Sequence, residues 1–292
     1  MSKTNPFSLV RRFCPLALAL AAVVQITALV IQPSASTADD TGAKKVKPLK
    51  ALLVIGGCCH DYEKQKDILK AGIEARAHVE VEIAFNPDRS TKPKFEVYLK
   101  DNWYAGYDVI IHDECAADVN DPDYVANVLK PHKEGVPAVN LHCAMHSYRS
   151  GNFRDPVKPG EANAVWFEFL GLQSFRHDWQ APISVTITDK EHPSMATSSD
   201  WMTIKEELYN SVQLLGGHVL AAGKQPLQNG KDWEAPVVWT NSYGEKKTRV
   251  WSTSLGHNND TVADARYLDM VTRGLLWSCD KLSADYLKPA AK

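Results

Sequence analysis

The chain of 292 residues lacks the short signatures that would name a chemistry at once. It has no Cys-x-x-Cys pair, no Gly-x-Ser-x-Gly elbow and no Gly-x-Gly-x-x-Gly fingerprint. The sequence therefore gives no ground for a paired-cysteine metal or redox centre, an elbow serine hydrolase or a glycine-rich phosphate loop. Charge of one sign is not in excess either. The formal net charge is −2 and no basic stripe is visible, so no nucleic-acid partner is suggested. There is no internal repeat and no linker to a second domain. Cysteine is sparse, at six. Setting aside Cys14 leaves Cys58, Cys59, Cys115, Cys143 and Cys279, an odd set with at least one free thiol, and a disulfide framework is not expected in a domain this large. Aromatic residues are plentiful, which suits a carbohydrate-facing cleft and an ordinary core equally.

What is present begins with an export pattern. Arg11 and Arg12 precede an apolar stretch over 13–30, and small residues fill 33–38. That is the order of a secretory signal, and cleavage is expected after Ala38. An uncleaved anchor is the alternative, with Gln25 and Thr27 inside the run. Cys14 follows the charged pair too early for a lipid-modified cysteine, and the arginine pair permits twin-arginine export. An exported protein, periplasmic or secreted, is the expectation, with no membrane contact beyond the signal. A polar linker is read over 39–47, one folded domain over 48–282 and a tail over 283–292.

Apolar, β-branched runs alternate with helical periodicity through the first half of the domain. Strands are expected over 49–55, 79–85, 107–112 and 137–141, with helices over 62–77, 94–101 and 121–133. Asp61 is placed to cap the first helix and Pro122 opens the third. This β-α-β-α-β-α-β order predicts an α/β fold with a flavodoxin-like, doubly wound and mostly parallel sheet. The second half is less regular. A helix is expected over 164–170 and strands over 183–187, 219–222, 236–240 and 249–253. The last two strands form a hairpin turning at 241–244, and a terminal helix covers 262–277. These strands make a small β extension.

Four apolar runs each end on a histidine: His60, His112, His142 and His257. Ligands of such folds bind beyond the carboxyl ends of the strands. The histidines are therefore expected to gather at one sheet edge. In His142-Cys143-Ala144-Met145-His146, a helix beginning after Leu141 would put the two imidazoles at i and i+4 on one face, a spacing able to hold a metal ion. The glutamate of a His-Glu-x-x-His peptidase is missing. A divalent ion, zinc or manganese, is the cofactor this pair would take, and no other is expected. His146 on its own reads as a structural residue. Asp113 and Glu114 follow His112, where Glu114 reads as a solvated loop residue. Of Glu206 and Glu207, one is expected to be exposed and the other to face the cleft beside Tyr209. Asn259 and Asp260 read as caps of the last helix. Cys143, at a strand-to-helix turn beside two histidines, is a further candidate as a thiol nucleophile.

Several of these pieces together resemble the trehalose-utilisation family named ThuA, whose fold resembles class I glutamine amidotransferases. The matching segments are 54–62, 107–113, 139–142, His177, His192-Pro193, 206–209, and 236–239 leading into 249–257. They span nearly all of the domain in order. Where amidotransferases place a nucleophilic cysteine after the fourth strand, this chain places His142, with Cys143 one position later. The resemblance thus implies the fold without glutaminase chemistry, and it implies a small-molecule carbohydrate, a sugar or 3-keto-sugar, as substrate. On this reading His142 and His257 are catalytic acid–base residues or metal ligands. His60, Asp61, Asp113, His177, Glu207 and Tyr209 complete the pocket, and an isomerase, lyase or hydrolase is implied. A non-catalytic sugar-binding protein and a Cys143-dependent hydrolase remain as alternatives. The oligomeric state is left open, a homo-oligomer included.

Overall fold

The computed structural model describes residues 46–289. The expected export signal lies outside the described residues. In chain order the first elements are β1 (Leu49–Gly57), α1 (Tyr62–Arg76), β2 (Val79–Asn86), β3 (Val109–Cys115), α2 (Pro122–Glu134), β4 (Ala138–Leu141) and α3 (Val165–Leu170). There follow β5 (Leu172–Gln173), β6 (Ala181–Ile187), β7 (Trp201–Glu206), β8 (Gln213–Leu214), β9 (His218–Pro226), β10 (Asp232–Tyr243), β11 (Thr248–Thr253), α4 (Asn259–Val262) and α5 (Ala265–Ser278). No helix among the described residues is long and apolar enough to cross a membrane.

After Lys50, β1 is buried on both faces, the pattern of an interior strand in a parallel sheet. It pairs in parallel with β2 on one side and β3 on the other. The main sheet runs β2-β1-β3-β4-β11-β10-β9-β6-β7. Only β10 and β6 run against its other strands. The doubly wound, mostly parallel sheet is thus as expected, and the β extension continues the same sheet. One face packs Leu53 and Ile55 against Leu69 and Ile73 of α1 and Val271 and Leu275 of α5. The other packs Leu52 and Ile110 against Val125 and Val128 of α2 and Trp166 and Phe169 of α3.

Several local expectations change. The helix read over 94–101 is a single 3-10 turn, Glu96–Leu99. The β10–β11 turn falls at 244–247, because Asn241, Ser242 and Tyr243 still pair with β11. Asp61 stands at the N-cap of α1 without a side-chain cap bond; its Oδ2 accepts from Asn259 Nδ2 at 2.8 Å and ties α1 to α4. The cap of α5 is Asp264, which accepts from the Arg266 backbone N–H. Residues read as a tail pack onto the fold, where His78 N donates to Tyr286 O at 2.8 Å and Ala77 bridges Leu287.

The largest departure concerns His112. Strand β3 does not end there but continues through Asp113 and Glu114 to Cys115, all buried. Alternation along a strand turns His112 and Glu114 to the α2–α3 face. There His132 Nδ1 donates to Val136 O at 2.7 Å, so its Nε2 accepts from His112 Nε2 at 3.0 Å. His112 Nδ1 lies 2.9 Å from Glu114 Oε1, the oxygen to which the Tyr98 and Tyr148 hydroxyls donate at 3.0 and 2.9 Å. Glu114 is therefore an interior anchor, since distant tyrosines supply the donors that a buried carboxylate needs. Burial holds the His132 ring well below the usual imidazole range, with His112 beside it adding to the effect.

The carboxyl end of β1 depends on two glycines. Gly56 and Gly57 have φ of 142° and 102°. A Cβ on Gly56 would overlap the Asn86 carbonyl oxygen, and one on Gly57 the Cys115 carbonyl oxygen. Backbone is the obstacle in both cases, so neither can yield cheaply. Gly57→Ala is expected to destabilise the fold by about 2–5 kcal/mol from left-handed strain plus overpacking, measured as a lower denaturant midpoint at unchanged slope.

Candidate active site

Three of the four run-ending histidines meet. His60 enters from the loop after β1, His142 from the end of β4 and His257 from the loop after β11. Each contributes a ring nitrogen to a group whose donor atoms all lie within 4.8 Å of one another. The His60 ring centroid is 4.6 Å from that of His142 and 4.7 Å from that of His257, and His142 and His257 are 5.6 Å apart, all edge to face. His60 is 7 % exposed and neither of its ring nitrogens has a hydrogen-bond partner. Burial lowers its pKa, countered by Cys143 and reinforced by His142.

His142 is fixed from both sides. It adopts φ 37° where β4 breaks into a 3-10 turn, a left-handed conformation uncommon outside glycine but one that histidine takes more readily than most residues. Its Nδ1–H donates to Ser254 O at 2.7 Å, so Nε2 turns inward and lies 3.3 Å from the Tyr209 hydroxyl. A backbone carbonyl holding one imidazole nitrogen is also what orients histidines that ligate metals. His257 is held through its backbone. Its N–H and that of Asn258 donate to the buried Glu206 carboxylate at 3.0 and 3.2 Å, and Gln65 Nε2 donates to His257 O at 3.1 Å.

Glu207 links the rings. Its Oε2 lies 3.2 Å from His257 Nδ1, 3.5 Å from His177 Nε2 and 3.6 Å from His142 Nε2. The His257 nitrogen is close enough to form an ion pair but out of line for a hydrogen bond. Gln180 Nε2 donates to Glu207 Oε1 at 3.2 Å and stands 2.8 Å from His257 Nε2. Burial opposes ionisation of Glu207, but the His142 and His257 imidazoles, with the charge of His177, hold its carboxyl well below the usual carboxylate range. Reciprocally, burial pulls the His257 pKa down but the Glu207 carboxylate overrides it and the net shift is upward.

The other expected residues divide. Tyr209 is buried between His146 and His177, stacked at 4.0 and 5.6 Å, and burial pushes its hydroxyl pKa well up. His146 does not share a face with His142. The segment His142–His146 is a 3-10 turn, in which i and i+3 align and i+4 has turned away. His146 Nε2 instead bonds Ser174 Oγ at 2.9 Å, so the geometry replaces the pair His142–His146 by the trio His60–His142–His257. Asp113 faces the α1–α5 side, where burial, with Cys143 and Glu114 nearby, pushes its carboxyl well above the usual range. Asp61 is tied to Asn259 and Lys64 instead. Cys143 is buried, and contact with Cys115 together with burial raises its thiol pKa well above the ordinary value, which works against a thiolate nucleophile.

Sequence reasoning missed Gln65, Gln180 and Glu206. Gln65 follows His60 by five residues and Gln180 follows His177 by three, but neither carried a local signal of its own. Glu206 was visible beside Glu207, but both carboxylates are buried, where one had been expected at the surface.

His60, His142, His177, Glu207, Tyr209 and His257 fall inside the segments that carried the family resemblance. A family model described as ThuA, trehalose utilisation, matches residues 50–278. No curated protein matches. Among solved structures, a ThuA-like protein from Parabacteroides merdae is 18 % identical with a TM-score of 0.59, covering 80 % of this chain and 90 % of its own. A ThuA-like protein from Bacteroides uniformis is 16 % identical with a TM-score of 0.55, covering 79 % and 91 %. At such identity these two neighbours speak for the fold, and the match over 50–278 carries the assignment: the chain belongs to the ThuA, trehalose utilisation, family.

Proposed function

We propose that this site binds a sugar or 3-keto-sugar and transforms it by acid–base chemistry with a divalent cation, zinc or manganese, held by His60, His142 and His257. The observation that carries the reading is His60. A buried imidazole with both nitrogens unpartnered costs free energy unless something completes it. Two further imidazoles within ligand distance make a cation the fitting partner, as three histidines with an open fourth position are a recurrent catalytic arrangement. Membership of a trehalose-utilisation family favours carbohydrate as the substrate class. The expected leader supports action outside the cytoplasm.

When bound, the cation would polarise a sugar carbonyl as a Lewis acid. The chain's own residues handle the proton. Glu207 is ionised and buried at the centre of the site, so its Oε2 can take a proton from the carbon next to a keto group. The same carboxyl, once protonated, can return that proton to a neighbouring carbon or a leaving oxygen, with the His257 ring 3.2 Å away beside it. The Tyr209 hydroxyl, held against His142, can donate to developing negative charge. Gln180 keeps the Glu207 carboxylate oriented. Isomerisation, elimination and hydrolysis can all begin from this proton transfer.

The test uses protein made without a histidine tag and purified without chelator. Expected are about one divalent cation per chain and, in heavy water with 3-keto-trehalose, deuterium appearing beside the carbonyl by NMR. Sugar binding without exchange assigns a binding protein instead. Neither bound cation nor bound sugar removes the proposal.

A further inference from the structure

We propose that Cys58 is the shared sulfur of an exchangeable disulfide, with Cys59 and Cys115 as its alternative partners, and that the partner chosen positions His60. The second part rests on His60 being a site residue as read above. Cys58 and Cys59, adjacent in the loop after β1, are joined by a disulfide. Cys115, at the end of β3, is a free thiol whose Sγ lies 3.3 Å from Cys58 Sγ. All three sulfurs lie within 4.8 Å of one another. The sheet itself enforces this approach. Gly57 is the register partner of Cys115, and the missing Cβ at Gly57 lets the Cys115 backbone come close.

The exchange balances without any outside reagent. Cys115, as thiolate, swings behind the Cys58–Cys59 bond and attacks Cys58 Sγ in line; the Cys58–Cys115 bond forms as the Cys58–Cys59 bond breaks. The electron pair leaves on Cys59 Sγ, which takes up the proton that Cys115 released. One disulfide is lost and one is made. Cys58 and Cys115 are buried while Cys59 is exposed, so the released thiol is the one that meets solvent.

The backbone couples this step to the site. Cys59 is held at φ 84°, a conformation that a non-glycine residue rarely adopts. Release from Cys58 frees it to return to an extended φ, and the next residue is His60. A change there moves the His60 ring relative to His142 and His257, which it meets at 4.6 and 4.7 Å.

Full-length protein, isolated without reductant, is incubated with iodoacetamide at mildly alkaline pH and its disulfides are mapped after acidic digestion. Alkylation traps each released Cys59, so a Cys58–Cys115 linked peptide with alkylated Cys59 is expected to accumulate. Cys115→Ser is expected to slow Cys59 alkylation about tenfold or more, because the internal attacking thiol is gone. Equal alkylation in the two proteins, or Cys58 and Cys59 free at the outset, overturns the exchange. Should Cys115→Ser fail to fold, Cys59→Ser in a glutathione buffer decides: a Cys58–Cys115 disulfide supports the proposal and two free thiols overturn it. His60 imidazole NMR signals, assigned with His60→Ala, are expected to shift on trapping. Trapped protein with unmoved His60 signals overturns the positioning. Shifted signals in a protein that binds neither cation nor sugar leave the exchange standing and sink the functional reading instead.

Discussion

His60→Ala is expected to lower divalent-cation affinity by more than about 100-fold, since loss of mere outer partners of metal ligands already costs 10–100-fold. The same substitution is expected to leave the cation-free fold as stable as before or more so. The two halves of this outcome come from one fact. His60 is 7 % exposed and its nitrogens have no hydrogen-bond partner, so its removal ends the burial of an unsatisfied polar group, a gain that offsets the cavity left beside Tyr62, His142 and His257. A residue kept for binding at the expense of stability shows this combination. Isothermal titration with zinc and manganese, beside a thermal unfolding scan in chelator, measures both. His146→Ala is the comparison: its bond to Ser174 and its stacking on Tyr209 predict lost stability with cation affinity little changed. If His60→Ala binds the cation as wild type does, the three-histidine site is wrong.

Glu207→Gln is expected to lower turnover by about 10²–10⁴-fold, the range for a positioned general base. It is isosteric, and the Gln180 contact can persist through the amide oxygen. The substitution also carries a signature that simple damage would not. In cation-free protein the His257 pKa is raised because the Glu207 carboxylate offsets burial. Without that carboxylate only the smaller pull of Glu206 still opposes burial, and the His257 titration moves to lower pH. Histidine NMR titrations of the two proteins measure this directly; an unmoved midpoint contradicts the electrostatic account of the site. The stability consequence has a definite direction. A raised His257 pKa contributes stability that is complete below the unfolded imidazole value and is lost as pH rises through the folded one. The depressed Glu207 pKa contributes above the unfolded carboxylate value and is lost only as pH falls through its own low folded value. The pair is therefore most stabilising in the mildly acidic window where Glu207 is ionised and His257 is still protonated.

How far the residues announced all this depends on where their partners come from. β1, β3 and β4 were legible because apolar, β-branched runs have few alternatives. β7 was not, since its pattern is inverted: Met202 and Ile204 point outward while Thr203 and Glu206 are buried. An apolar/polar alternation gives no warning of that when an edge strand turns its polar side inward to hold a loop. His142–His146 was read as the start of an α-helix. The 3-10 turn is instead fixed from a distance, with Trp166 Nε1 donating to Ala144 O and Ser147 Oγ to Glu114 O. His60, His142 and His257 were visible as run-ending histidines because strand ends of such a sheet converge. His112 looked identical in sequence and went elsewhere. Burying Asp113 and Glu114 inside a strand requires tyrosines and a second histidine from remote segments, which no local spacing reveals.

The place of β11 has a consequence for how the molecule comes into being. It lies between β4 and β10 in the sheet, yet it is made after every other described strand. Pairings of β9 with β10 and of β10 with β11 are close in sequence and can form quickly as successive hairpins, whereas β4 must wait for a partner more than a hundred residues downstream. Until residues 248–253 leave the ribosome, β4 is an open parallel edge, a template for wrong pairing with another chain. His142 and His257 cannot meet before that gap closes. The site therefore cannot be assembled before β11 is made, and a nascent chain stalled short of β11 holds His60 and His142 with nothing to complete them.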